Sequence, residues 1–171
     1  MTHPFMTAIA GGLAERGVAT LRYQFPYMEQ GSKRPDTPKL AQATVRAAVA
    51  EASRLMPDVA LFAGGKSFGG RMTSQAQAAS PLPGVRGLVF LGFPLHPAGR
   101  PSDERGKHLF EVRIPMFFLQ GTRDALADLP LVQASADMGL VTLLDGRGKT
   151  SVPSKVVAER LDAYGDDMPK R

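Results

Sequence analysis

The chain's 171 residues, 43% hydrophobic and 22% charged, fit one globular domain spanning residues 1–171. There is no cysteine and there are three histidines, His3, His96 and His108, which excludes disulfide frameworks, thiol catalysis and cysteine-ligated zinc and implies neither a metal nor an organic cofactor. The net charge of +5 is dispersed, with no basic–aromatic alternation, and no apolar run nears the ~20 residues of a membrane span, so neither nucleic acid nor membrane is an expected partner and a cytoplasmic location is expected.

Pro4 suits a first helical turn, and Phe5, Ile9 and Leu13 share one helix face before Gly17. Residues 18–25 (VATLRYQF) have the composition of a strand, and 26–38 is a loop rich in turn formers. Leu40, Val45, Ala48, Val49, Ala52 and Leu55 give 39–56 a helical period. Residues 59–63 form a short apolar run of the kind buried parallel strands show, and a helix over 69–79 follows. Further strands are expected at 85–91, 116–120 and 140–144, and helices at 128–138 and 154–164. Strands separated by helices demand right-handed crossovers. The fold class is α/β, a three-layer α/β/α arrangement on a mostly parallel sheet of about five strands. In such sheets ligands bind beyond the carboxyl ends of the strands.

One of those ends carries Gly65-Lys66-Ser67-Phe68-Gly69, a G-x-S-x-G nucleophile elbow between an expected strand and an expected helix. The serine must stand at a sharp turn, and side chains two residues to either side would collide with the neighbouring strand and helix. Gly65-Lys66-Ser67 also matches the tail of a phosphate-binding P-loop, but that motif's first glycine falls on Ala60, and 61–63 belong to the strand. A nucleoside triphosphatase is therefore excluded. Asp124 follows the MFFLQ strand, where an elbow fold places the acid that orients the catalytic base.

The stretches LFAGGKSFGGRM, VRGLVFLGFPLHPAGRP and IPMFFLQGTRDAL, with the opening HPFMTAIAGGLAERGVATLRYQFPYME, resemble the small α/β-hydrolases of the dienelactone-hydrolase-like kind over nearly the whole chain. That resemblance implies a serine hydrolase of small acyl esters, with Ser67 as nucleophile, the Phe68 N–H as oxyanion donor and Asp124 as acid.

The sequence departs from the family pattern in two places. All three histidines precede Asp124, whereas the family's histidine follows its last strand; Lys149 stands at that position here. His96, also just after a strand, is the better candidate for a substitute base, its other reading being a loop histidine that caps backbone groups, and Lys149 is the second candidate. His3 reads as a helix cap and His108 as a solvated surface residue. The second departure is at the front, where the family carries a strand ending in a His-Gly-Ala-Gly-like loop that gives a second oxyanion N–H, while here only Met1 and Thr2 stand ahead of HPFM. The expected sheet therefore lacks that N-terminal strand and either closes up or has its edges covered by a second copy of the chain. The alternative to an esterase is a catalytically impaired or truncated relative acting as a binding or interaction module.

Overall fold

The computed structural model describes residues 3–121, 124–127 and 140–144. Its elements run α1 (Pro4–Ala14), α2 (Pro26–Glu29), α3 (Pro38–Leu55), β1 (Leu61–Lys66), α4 (Phe68–Ala79), β2 (Val85–Leu91), a 3-10 helix (Lys107–Glu111), β3 (Met116–Gly121) and β4 (Leu140–Leu144). The expected helices at 128–138 and 154–164 lie outside the described residues. Local chemistry sets several of these boundaries. Pro4 and Pro38 open α1 and α3 with φ already fixed for a helix, and Thr37 Oγ1 accepts a hydrogen bond from the Leu40 N–H at the start of α3. Strand β1 runs through Gly64, Gly65 and Lys66, past the apolar run, because its pairing with β2 continues to Lys66 opposite Leu91.

The four strands pair in parallel in the order β1-β2-β3-β4. Alternate residues of β2 and β3 serve opposite faces, as the two-residue period of a strand requires. On one face Leu88, Phe90, Met116 and Phe118 pack with Val45 and Val49 of α3 and Met72 and Ala76 of α4. On the other, Leu91, Phe117 and Leu119 pack with Ile9 and Leu13 of α1. The result is the expected α/β/α layering. No helix of the described residues is long and apolar enough to cross a membrane.

Residues 18–25 correct one expectation. They form neither a strand nor part of the sheet, and β1 is the sheet's edge among the described residues, so four strands pair and the sheet has not closed up. The reason lies in what a strand needs. Side-chain composition favours the extended chain, but a strand exists only where a second backbone lies alongside to exchange hydrogen bonds. Here the segment is held through its rings instead: Tyr23 meets Phe25 at 5.5 Å, and Phe25 meets Phe68 of α4 at 5.2 Å, both edge to face.

Candidate active site

Ser67 is the turn between β1 and α4. Its backbone sits at φ 48° and ψ −114°, and it is the only non-glycine residue with positive φ among the described residues. An L-residue held there stores about 1–3 kcal/mol, so the surroundings must impose the conformation. They do so from both sides. The Ser67 N–H donates to the Leu91 carbonyl at the end of β2 (3.3 Å), and the Ser67 carbonyl accepts from the Arg71 N–H one turn into α4 (3.1 Å). The serine side chain makes no capping bond to the helix. Phe68 is the first residue of α4, so its N–H has no intrahelical acceptor and lies at the positive end of the helix dipole.

The expectation for the motif glycines needs correcting. A Cβ on Gly65 or Gly69 would find its nearest neighbours at 3.4 and 3.7 Å, which is ordinary contact. The tight approaches are one residue further out. A Cβ on Gly64 would overlap the Val89 carbonyl oxygen and lie 2.7 Å from its carbon, and one on Gly70 would lie 2.8 Å from the Gly65 oxygen. Gly64 lets β2 close on β1, and Gly70 lets α4 close on the strand that carries the serine.

Beyond β2 and β3 a second group of polar side chains converges. Asp124 Oδ2 accepts from Gln120 Nε2 at 2.7 Å, and Oδ1 accepts from the Leu126 N–H at 2.9 Å. Gln120 is 1% exposed, and its Oε1 accepts from the Phe93 N–H at 2.8 Å, which fixes which way its amide faces. Sequence reading missed Gln120; its only signal was a polar residue closing an otherwise apolar strand. Gly92, at φ +72°, passes between the two groups, and a Cβ there would stand 3.5 Å from Asp124 Oδ2. Asp124 and Ser67 thus meet the same end of β2, one against Gly92 and the other through Leu91.

His96 is 1% exposed, and its N–H donates to the Leu126 carbonyl at 3.1 Å, tying it to the turn that carries Asp124. Its Nδ1 lies 2.9 Å from the Pro97 carbonyl oxygen. A carbonyl only accepts, so Nδ1 carries the proton and, in the neutral ring, the basic lone pair is on Nε2. Both Asp124 oxygens are engaged by Gln120 and Leu126, and no histidine among the described residues hydrogen-bonds to them. Lys149 lies outside the described residues.

The other two histidines differ from expectation. His3 precedes α1, but its side chain makes no cap bond; only its carbonyl takes part, accepting from the Thr7 N–H at 3.0 Å. His108 is half-buried rather than solvated. The Ser74 hydroxyl donates to the Arg71 carbonyl at 2.9 Å, so it accepts from His108 Nε2–H at 2.7 Å. Burial, reinforced by the Arg71 charge, pushes the His108 pKa from 6.5 down to about 4. Between those two values the unfolded chain binds a proton that the folded one refuses, so acidification across this window removes stability. Melting temperatures from pH 7.5 to 4.5 should fall more steeply for the wild type than for His108→Gln. Parallel curves would show that His108 does not titrate on unfolding.

The sequence matches a family model for the alpha/beta hydrolase domain over residues 1–145. No curated protein matches it. Among solved structures, the chain is similar to Est1E from Butyrivibrio proteoclasticus, determined with ferulic acid bound (TM-score 0.75, 15% identity, covering 98% of this chain and 84% of that one). It is also similar to XC6422 from Xanthomonas campestris, described as an α/β serine hydrolase without a lid (TM-score 0.69, 19% identity, covering 100% and 77%). A third is the esterase domain of a Rhodothermus marinus protein (TM-score 0.67, 19% identity, covering 94% and 78%). At these identities the likeness is one of fold.

Proposed function

From the premise that this chain belongs to the alpha/beta hydrolase family, we propose that it is a serine hydrolase of small acyl esters, dienelactone-hydrolase-like in its motifs, with Ser67 as nucleophile. The observation that carries this reading is the Ser67 backbone at φ 48°, ψ −114°, strain concentrated on one serine at the carboxyl edge of the sheet. Strain of this kind persists where it presents a side chain for chemistry. The esterase and serine-hydrolase descriptions of structures sharing the fold support the same assignment.

In this mechanism Ser67 Oγ attacks the ester carbonyl carbon while its proton passes to a base. His96 fills that role through Nε2, with the Pro97 carbonyl holding its Nδ1–H; Lys149 is the alternative base. The Phe68 N–H, at the dipole's positive end, donates to the oxyanion that forms. Collapse breaks the bond to the leaving oxygen, which takes the proton back from the base and departs as an alcohol. Water, deprotonated by the same base, then attacks the acyl-serine carbon; the bond to Ser67 Oγ breaks, Oγ takes the proton back from the base, and the carboxylic acid is released. Asp124 acts as a positioning group, fixing through Leu126 the turn to which the His96 backbone is tied.

The test is labelling with a fluorophosphonate, which phosphonylates only an activated serine. The expected result is one adduct per chain, mapped by mass spectrometry to the peptide containing Ser67, together with hydrolysis of p-nitrophenyl acetate. A folded protein that takes up no label and hydrolyses no ester would overturn the reading and point to the binding-module alternative.

A further inference from the structure

Hydrogen bonds close a ring at the carboxyl edge of the sheet. The Phe93 N–H donates to Gln120 Oε1 (2.8 Å), and Gln120 Nε2 donates to Asp124 Oδ2 (2.7 Å). Asp124 Oδ1 accepts from the Leu126 N–H (2.9 Å), and the Leu126 carbonyl accepts from the His96 N–H (3.1 Å). The backbone from Phe93 to His96 completes the circuit. The ring adjoins the nucleophile directly. Leu91, two residues before Phe93, offers the carbonyl that takes the Ser67 N–H, and the Gly92 N–H between them is bound to the Leu119 carbonyl (2.9 Å).

Gln120 is the link on which the ring turns. A backbone N–H only donates, so the Phe93 bond assigns Oε1 as the acceptor and leaves Nε2 to donate. Asp124 thereby receives one donor on each oxygen, and its carboxyl group cannot rotate without giving up both. Because Gln120 is 1% exposed, a broken link leaves a buried polar atom unpaired. We propose that Gln120 is a positioning residue of the hydrolysis: it locks the Asp124 carboxylate into the ring and so sets the His96 turn against the strand end that anchors Ser67. The catalytic consequence rests on the serine-hydrolase reading; the lock itself does not.

Gln120→Glu tests this with almost no change of shape. The new carboxylate still accepts from the Phe93 N–H through one oxygen and turns the other on Asp124 Oδ2. Two carboxylates that close hold one proton between them, which rebuilds the bond at low pH; when that proton leaves at higher pH, repulsion takes its place. The ring's other titratable side chain, His96, is common to both proteins and cancels in their ratio. With p-nitrophenyl acetate between about pH 5 and pH 9, the variant's kcat relative to wild type should fall about tenfold or more as the pH rises, with KM little changed. The second measurement, amide exchange followed by NMR at about pH 8, needs no catalysis. The Leu126 and His96 N–H groups should lose protection about tenfold or more in Gln120→Glu, while Phe118, paired on both sides in β3, keeps its own and reports on the whole fold. Adding Asp124→Asn reverses the bond, the new amide donating to the new carboxylate, and should restore the protection. A wild type that hydrolyses no ester but shows this pattern of exchange supports the lock, and only the hydrolase reading has then failed. A kcat ratio that stays flat in an active enzyme, or equal protection of Leu126 and His96 in all three proteins, would overturn the proposal.

Discussion

Replacing Ser67 with Ala should lower ester turnover on the order of 10³-fold or more and abolish fluorophosphonate labelling, while Ser67→Gly should do the same and raise the melting temperature. The two variants remove the same hydroxyl, so they must agree in activity. They differ in the backbone. Alanine keeps a Cβ at φ 48°, ψ −114° and inherits the strain; glycine tolerates that region without penalty. Relief of about 1–3 kcal/mol of strain, less roughly 0.5–1 kcal/mol for the entropy that glycine loses on folding, leaves a net gain near 1 kcal/mol. In a chain of this size that is a rise of about 2–4 °C. Identical melting temperatures for the two variants would mean that the elbow holds no strain, and the observation carrying the functional proposal would lose its force.

The second large effect is structural. Gly64→Ala should destabilise the fold by about 3 kcal/mol or more, lowering the melting temperature by roughly 10 °C. Every atom that the new methyl would meet most closely belongs to the Val89 backbone. No rotamer change can make room, and β1 must move away from β2. The adjacent motif glycine provides the control. A methyl on Gly65 has its nearest neighbour at 3.4 Å, so Gly65→Ala should cost well under half as much. If thermal melts placed the two variants together, the close approach at Gly64 would not be a constraint on stability.

These glycines show how far the sequence could be read. G-x-S-x-G located the elbow because the pattern is local: strand, turn and helix follow one another in the chain. Which glycine is indispensable depends on how near β2 comes to β1, and Val89 is 25 positions away from Gly64. The strands at 85–91 and 140–144 were legible for the same local reason, through their apolar runs. Residues 18–25 have similar composition, but their state turns on whether a neighbouring backbone is present, which composition does not encode. His108 was misread because the loop around it is charged; its burial comes from Ser74, 34 residues earlier, on the face of α4 that meets the 3-10 helix. Gln120 escaped because it owes its importance to partners gained in three dimensions, namely the Phe93 N–H and Asp124.

Strand β1, which carries the serine, is hydrogen-bonded on one side alone among the described residues, whereas β2 and β3 are each gripped on both. Opening β1 therefore breaks one ladder, and opening either of its inner companions breaks two. By that count the cooperative unit expected to melt last is centred on Phe90 and Phe118, with the nucleophile at its margin. The reactive geometry thus depends on the β1–β2 ladder, the seat of α4 and the Leu91 carbonyl, so that thermal fluctuation should erode the elbow's chemistry before it erodes the fold.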